Sequence, residues 1–447
     1  MSKQKQTNQT VTDKLDAYLQ ACLTNRYFMG SVLVAYRGEV LLNQGYGMAN
    51  LEHGVHNSPQ TKFRLGSITK QFTATAILQL QDQGLLDLQA SISTYLPNYP
   101  VGEQITIHQL LNHTSGIAEF TELENFEQTT KIEVALNDLI ARFSHEPLEF
   151  LPGERYRYTN SGYIVLTKII ETVSGYSYKD YLQHCIFEPL EMMDSGCDSH
   201  EVILPHRASG YIFTGEIYQN ADFVDMSWTL GAGGMYSTTE DLYKWEQSLD
   251  TNVILSQLSR ETMFSPQVTI RESEDGKNFY HGYGGIICTH YEKKLLYHGG
   301  GINGFSTRIA RYPDEQVSIM ILTNIEASVV PAPVVWIAND LAAILFGEAY
   351  SLPKQRQAVK IDPAIYDAYV GQYDLEPGWT MNIIKDSDRL FAQWVGQERM
   401  ELFAESSTQF FAKITDAPCT FVLDETGKAI NLILQQGGRD RVAKRIN

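Results

Sequence analysis

A chain of 447 residues exceeds the usual single-domain range, and with 43% apolar and 20% charged residues it has an ordinary globular composition, so one large domain and a smaller one are predicted. The 53 acidic against 35 basic residues leave a net charge of -18, which repels phosphate backbones and anionic membrane surfaces and argues against nucleic acid as a partner. Five cysteines, Cys22, Cys185, Cys197, Cys288 and Cys419, are scattered and form no C-x-x-C pair, which disfavours a disulfide framework and a zinc knot and favours reduced, mostly buried thiols.

The opening MSKQKQTNQT reads as a polar, disordered tail, and Val11, Leu15, Tyr18, Leu19 and Cys22 then fall on one helix face instead of forming a signal-peptide core. No window approaches the roughly eighteen apolar residues of a spanning helix. A cytoplasmic protein is expected, or an extracytoplasmic one if a signal has been removed. There is no G-x-x-x-x-G-K-[ST] loop and no H-E-x-x-H, and no cofactor or metal is expected.

SVLVAYRGEVLLNQGYG predicts a hairpin turning at Arg37-Gly38. From Ile68 the pattern becomes helical, with Phe72, Ala76, Ile77 and Leu80 on one side and Gly84 as a stop, so Ser67 falls at a helix N-terminus. Residues 85 to about 260 read as a largely helical region, including a helical stripe broken near Gly175. Strands return between about 281 and 324, in GYGGIICTHYEKKLLYHGG and FSTRIARYPDEQVSIMILTN, before a helix from Pro331 to Leu345. The sheet is therefore assembled from both ends of this region. After a linker, SLPKQRQAVKIDP, short alternating segments predict a small antiparallel barrel or sandwich.

Ser67-Ile68-Thr69-Lys70 places a hydroxyl and an amine three residues apart, on one face of a helix. Serine attacks only when a base removes its proton, and lysine is a base only when neutral; lowering a lysine towards pH 7 takes roughly 4 kcal/mol of burial. The helix N-terminus favours developing negative charge. The motif alone is weak, since Ser2-Lys3-Gln4-Lys5 repeats it, and its ordinary alternative is a capping serine beside a solvated lysine.

Tyr158-Thr159-Asn160 offers a phenol that could couple to the lysine as a shared base and an amide that could hold substrate, against the alternative of a buried structural tyrosine and a turn asparagine. A decoy, Tyr218-Gln219-Asn220, exists here too. His298-Gly299-Gly300-Gly301 forms a glycine cluster at a strand edge, where side chains would obstruct substrate and a backbone N–H could bind an oxyanion. His298 could polarise substrate or, when protonated, bind an anionic group; a structural histidine is the alternative.

Taken together and in this order, with FRLGSITKQFTATAILQLQDQGLLDL, LLNHTSGI, LPGERYRYTNSGY, GAGGMYSTTEDLYKW and YHGGGINGF, these motifs resemble the serine β-lactamase and penicillin-binding-protein superfamily, in its branch of class C β-lactamases, DD-peptidases, D-aminopeptidases and esterases. The resemblance implies an α/β (α+β) fold, an antiparallel sheet flanked by helices with a helical subdomain, over residues 12–347. Residues 356–447 resemble the small lipocalin-like β-barrel domains appended to some members. It further implies Ser67 as the acylated nucleophile, Lys70 and Tyr158 as proton carriers and Asn160 and His298 as substrate-binding residues. Gly300 and Gly301 would line the substrate site, with the N–H groups of Ser67 and Gly301 as oxyanion hole. Histidine stands at 298 where class C β-lactamases carry a lysine that binds the substrate carboxylate, which points towards D-aminopeptidase-like members and away from efficient β-lactam hydrolysis. The expected function is a serine hydrolase acting on a small-molecule or peptide substrate, foremost a D-amino-acid peptidase of the DD-carboxypeptidase or D-aminopeptidase type. The alternatives are an esterase or weak β-lactamase, and a non-catalytic ligand-binding or assembly-forming member. The barrel would shape the entrance, support a homo-oligomer or serve as a passive module.

Overall fold

The computed structural model describes residues 2–272, 278–327, 333–376, 379–394, 399–436 and 439–446. These fall into two compact units, one of Gly30–Gly210 and Ala221–Glu326, the other of Met1–Met29, Tyr211–Asn220 and Ala327–Asn447.

The first unit is built on an eight-stranded antiparallel sheet. Its strands are β1 (Gly30–Tyr36), β2 (Glu39–Tyr46), β3 (Val268–Arg271), β4 (Phe279–His281), β5 (Ile286–His290), β6 (Lys293–Ile302), β7 (Phe305–Tyr312) and β8 (Val317–Thr323). Their order is β3-β4-β5-β6-β7-β8-β1-β2, so the N-terminal hairpin turning at Arg37-Gly38 completes a sheet begun by the late strands. β1 pairs with β8 from Gly30↔Thr323 to Tyr36↔Val317, and both are almost wholly buried. β5 accompanies β6 only from Lys293 to Tyr297. Beyond Tyr297, β6 is paired on the β7 side alone, which opens a local edge at His298–Gly301.

Beside the sheet lies the helix Thr69–Asp82, entered through a 3-10 turn at Gly66–Ile68 and ending just before Gly84. The apolar face foreseen at Phe72, Ala76, Ile77 and Leu80 is buried, yet every residue from Thr69 to Leu80 is buried with it. A helix covered all round must satisfy its polar side chains internally. Thr73 Oγ1 donates to Gly231 O at 2.7 Å, Gln71 Oε1 accepts from Trp245 Nε1 at 3.1 Å, and Gln79 Nε2 donates to Cys185 O at 3.0 Å. This bonding on all sides makes the helix a rigid spine for whatever its first turn carries. Its side chains join those of Asn160–Ser174 and Thr239–Ser248 in one continuous core.

In the second unit the helix Ser2–Thr24 buries Leu15, Tyr18, Leu19 and Cys22, the face legible in the sequence. The opening residues expected as a disordered tail are its first turns, and Ser2-Lys3-Gln4-Lys5 lies in them. Tyr18 Oη donates to Asp340 Oδ2 at 2.6 Å, on the helix Pro333–Phe346. Eight strands from Gly371–Glu376 to Arg439–Arg445 close an antiparallel barrel, as expected; closure leaves no free strand edge, and Tyr369, Tyr373, Phe410 and Phe421 fill the interior. The decoy Tyr218–Asn220 is a strand of a two-stranded hairpin in this unit.

All five cysteines are free thiols, with Cys22, Cys288 and Cys419 buried. Among the described residues no helix is long and apolar enough to cross a membrane.

Candidate active site

The site forms where the turn before the spine helix meets the open edge of β6. Gly66 has φ +55, and a Cβ there would lie 2.8 Å from Gly301 N and 2.9 Å from Gly301 O. A Cβ on Gly300 would lie 1.8 Å from the Leu65 carbonyl oxygen and 2.4 Å from Thr307 Oγ1. Two glycines are thus required so that two backbones can touch. This corrects the expectation that the glycine cluster clears space for substrate: Gly300 clears space for Leu65. Only Gly301, which is exposed and where a Cβ would meet nothing within 4 Å, faces open space. Thr307 Oγ1 locks the approach by donating to Leu65 O at 2.7 Å.

Ser67, half-buried, follows Gly66 directly. Lys70 is fully buried, and its Nζ lies 3.2 Å from Ser67 Oγ, 2.8 Å from Asn160 Oδ1 and 2.7 Å from Ala232 O. Burial lowers Lys70 to about 7, against the pull of the Glu119 carboxylate, which raises it. A neutral amine fits these three partners: it donates to the amide and the carbonyl and turns its lone pair to the serine hydroxyl. Two of the groups that act on it, Ala232 by a hydrogen bond and Glu119 by its charge, were not singled out in the sequence. Ala232 lies within GAGGMYS, whereas Glu119 carries no local pattern. Glu119 accepts from the Asn160 backbone N–H and, at 3.2 Å, from Asn160 Nδ2. Asn160 opens the helix Asn160–Ser174, so its side chain starts from a rigid element.

Tyr158 presents its ring to Lys70, whose Nζ lies 4.8 Å from the ring centroid. Among the described residues no hydrogen bond joins the Tyr158 hydroxyl to the Lys70 amine, so the two members of the Tyr-Lys base envisaged from the sequence meet through the ring face. Burial pushes the phenol well above its ordinary value, with Ser67 opposing the shift and Tyr156 and Glu119 adding to it. The hydroxyl is buried and makes no hydrogen bond of normal geometry among the described residues, so the influence of Ser67 marks a neighbour and not an existing bond.

Three buried histidines surround this tyrosine. His298 Nδ1 meets Gly299 O at 2.5 Å and His281 Nδ1 meets Gly282 O at 2.7 Å, so each donates to a carbonyl and carries its lone pair on Nε2. Burial holds His298 at about 3, with His281 and Lys70 lowering it further, and His281 at about 4. Of the two roles the sequence left open for His298, this burial disfavours the one that needs an imidazolium, and the ring offers Nε2 as a neutral hydrogen-bond acceptor. His113, fully buried, is lowered well below the usual histidine range, first by burial and then by His281 and Lys70. Among the described residues no group of three or more His, Cys, Asp or Glu side chains is arranged to hold a metal ion.

Ser67, Lys70, Tyr158, Asn160, His298, Gly300 and Gly301 all lie in one unit, and the structure brings Ser67, Lys70 and Asn160 into direct contact. A sheet from both ends of this unit, a buried central helix and a serine-lysine pair at its first turn define the serine β-lactamase and penicillin-binding-protein class. The β-lactamase family profile matches residues 15–344, and the chain belongs to this family, whose members are generally serine hydrolases. A second profile, a domain of unknown function, matches residues 355–444. The chain is 31% identical over 437 residues to penicillin-binding protein 4* of Bacillus subtilis, covering 94% of this chain and 95% of that one. It superimposes with a TM-score of 0.68 at 25% identity on the octameric penicillin-binding protein homologue from Pyrococcus abyssi, over 97% of this chain and 99% of that one. D-amino acid amidase from Ochrobactrum anthropi shares the fold, with a TM-score of 0.66 at 24% identity over 75% of this chain and 99% of that one.

Proposed function

We propose that the protein is an acyl-transfer hydrolase that attacks a peptide, amide or ester carbonyl with Ser67 Oγ, with D-amino-acid peptides as its foremost substrates. The observation that carries the reading is the Lys70 amine, 3.2 Å from Ser67 Oγ and lowered by burial to about 7. In that state it accepts the serine proton as the new C–O bond forms. The resulting ammonium stays bound to Asn160 Oδ1 and Ala232 O, and negative charge on the carbonyl oxygen is taken by the N–H groups of Ser67 and Gly301. Tyr158, held as a neutral phenol, gives its proton to the departing amine or alkoxide and regains one from Lys70. Water then hydrolyses the acyl-enzyme by the reverse proton path.

His298 supports the substrate assignment. As a neutral acceptor it lacks the charge with which a lysine would hold a carboxylate, which disfavours efficient β-lactam hydrolysis while leaving acylation by penicillin available. The relative named as a penicillin-binding protein over nearly the whole chain agrees with that.

The test is covalent labelling by a fluorescent penicillin or a fluorophosphonate, followed by mass spectrometry of the intact chain against D-amino-acid amides, DD-dipeptides, short-chain esters and β-lactams. Labelling at Ser67 in the parent chain and none in Ser67→Ala is expected. Equal labelling of both would remove the nucleophile, and a folded protein with no adduct from any reagent would favour a non-catalytic member.

A further inference from the structure

We propose that His113 is the positioning residue for Tyr158, a neutral imidazole that fixes where the proposed proton donor stands; the inference rests on the reading of Tyr158 given above. His113 lies in LLNHTSGI, to which that reading assigns no part. It holds the segment around Tyr158 at three points. The His113 carbonyl accepts from Arg157 N–H at 2.9 Å, Nδ1 accepts from Thr159 N–H at 3.2 Å, and the ring packs on the Tyr158 ring with centroids 4.4 Å apart and 33° between planes. The residue before the tyrosine, the residue after it and the tyrosine's own ring are thereby tied to one side chain and its backbone.

The histidine is itself tightly constrained. Tyr163, from the helix that Asn160 opens, lies tilted against it at 5.2 Å and 32°, and His281 stands edge-on at 4.6 Å and 85°. Its φ of 62 lies in the left-handed region, uncommon for residues other than glycine though less so for histidine, and the surrounding contacts hold it there. Thr159 N–H is a buried donor that needs an acceptor, and an Nδ1 that accepts leaves the ring proton on Nε2. Protonation would cancel that acceptor. Burial, with the neighbouring His281, Lys70 and His298, opposes protonation. The cluster of rings thus keeps His113 in the one form that can hold Thr159 and support Tyr158 together.

The test is a double-mutant cycle on the full chain, reading the acylation rate with a fluorescent penicillin and the kcat and KM of the best substrate. His113→Phe keeps a ring and removes the acceptor; His113→Asn keeps an acceptor near Nδ1 and removes the ring. Expected are a loss of about ten-fold in acylation and kcat for His113→Phe with KM little changed, a partial recovery in His113→Asn, and less than about two-fold further loss when His113→Phe is added to Tyr158→Phe. Equal fold-losses on both backgrounds, or a fast His113→Phe beside a slow Tyr158→Phe, overturn the proposal alone. A Tyr158→Phe protein acylating at the parent rate overturns the underlying reading and the proposal with it. Should the variants not fold, 15N spectra of the parent protein decide: a bare Nδ1 and protonated Nε2 on His113 from about pH 5 to about pH 8 are expected, and an Nδ1–H or imidazolium form overturns it.

Discussion

Glu119 holds Asn160 by both of its nitrogens, the backbone N–H on Oε2 and Nδ2 on Oε1, which leaves Asn160 Oδ1 turned to Lys70. The carboxylate acts twice, orienting the amide and raising Lys70 by its charge. Glu119→Gln removes the charge, so Lys70 falls below its present value of about 7 and the acidic limb of the acylation profile moves to lower pH. It also leaves one Asn160 nitrogen without its acceptor, and a plateau rate about ten-fold lower is expected from looser positioning. Acylation rates measured across pH check both effects; a limb displaced to higher pH would refute the assignment.

In the parent protein the same experiment reports Lys70 directly. The reactive form is the neutral amine, so acylation should rise with pH and reach half its maximum near the Lys70 value of about 7. Lys70→Met, which deletes the base, should lower the rate by about a hundred- to ten-thousand-fold. A profile flat from acid to alkaline pH would show that another group takes the serine proton.

Gly300 and Gly301 should respond oppositely to one methyl group. Gly300→Ala drives a Cβ to 1.8 Å from Leu65 O between two paired backbones, and a destabilisation above about 3 kcal/mol is expected. Gly301→Ala meets nothing within 4 Å and should melt as the parent does. Thermal denaturation of the two proteins separates them, and comparable melting temperatures would contradict the close approach.

Glu246 is buried on the helix Thr239–Ser248, its side chain 3.8 Å from Arg311, and burial pushes it up to about 7 despite that partner. A carboxyl whose folded pKa exceeds its unfolded one holds its proton more tightly when folded. Its contribution is present below about pH 4.5 and is lost as pH rises towards 7, at a cost bounded by roughly 3 kcal/mol. Glu246→Gln should therefore raise stability at pH 8 and change it little at pH 5. Urea denaturation at the two pH values is the check, and an equal change at both would exclude the linkage.

Features with a local signature were legible in the sequence. The hairpin at Arg37-Gly38, the helix after Ser67 and the strands of the barrel each announce themselves through alternation, periodicity or turn residues. The three-stranded sheet of Phe63–Arg64, Met235–Ser237 and Gly196–Cys197 does not, because two or three residues are too few to show alternation. Glu119 and His281 were invisible for another reason: each matters through a partner far along the chain, and nothing around either residue encodes that partner. His298 was found, but its charge state was left open, since only the surrounding burial decides it.

The hydrogen bond between Tyr18 and Asp340 spans 322 positions, and both residues belong to the unit that also holds the barrel. Order of synthesis and order of assembly are therefore opposed. At ribosomal speeds the first helix emerges roughly fifteen seconds to a minute before the helix that receives Tyr18, with Leu15, Leu19 and Cys22 still uncovered. During that interval the intervening sheet and its spine can take shape, while this helix waits as an apolar stripe. A nascent chain of this protein is thus exposed to misassociation along that helix until the segment around Asp340 is made.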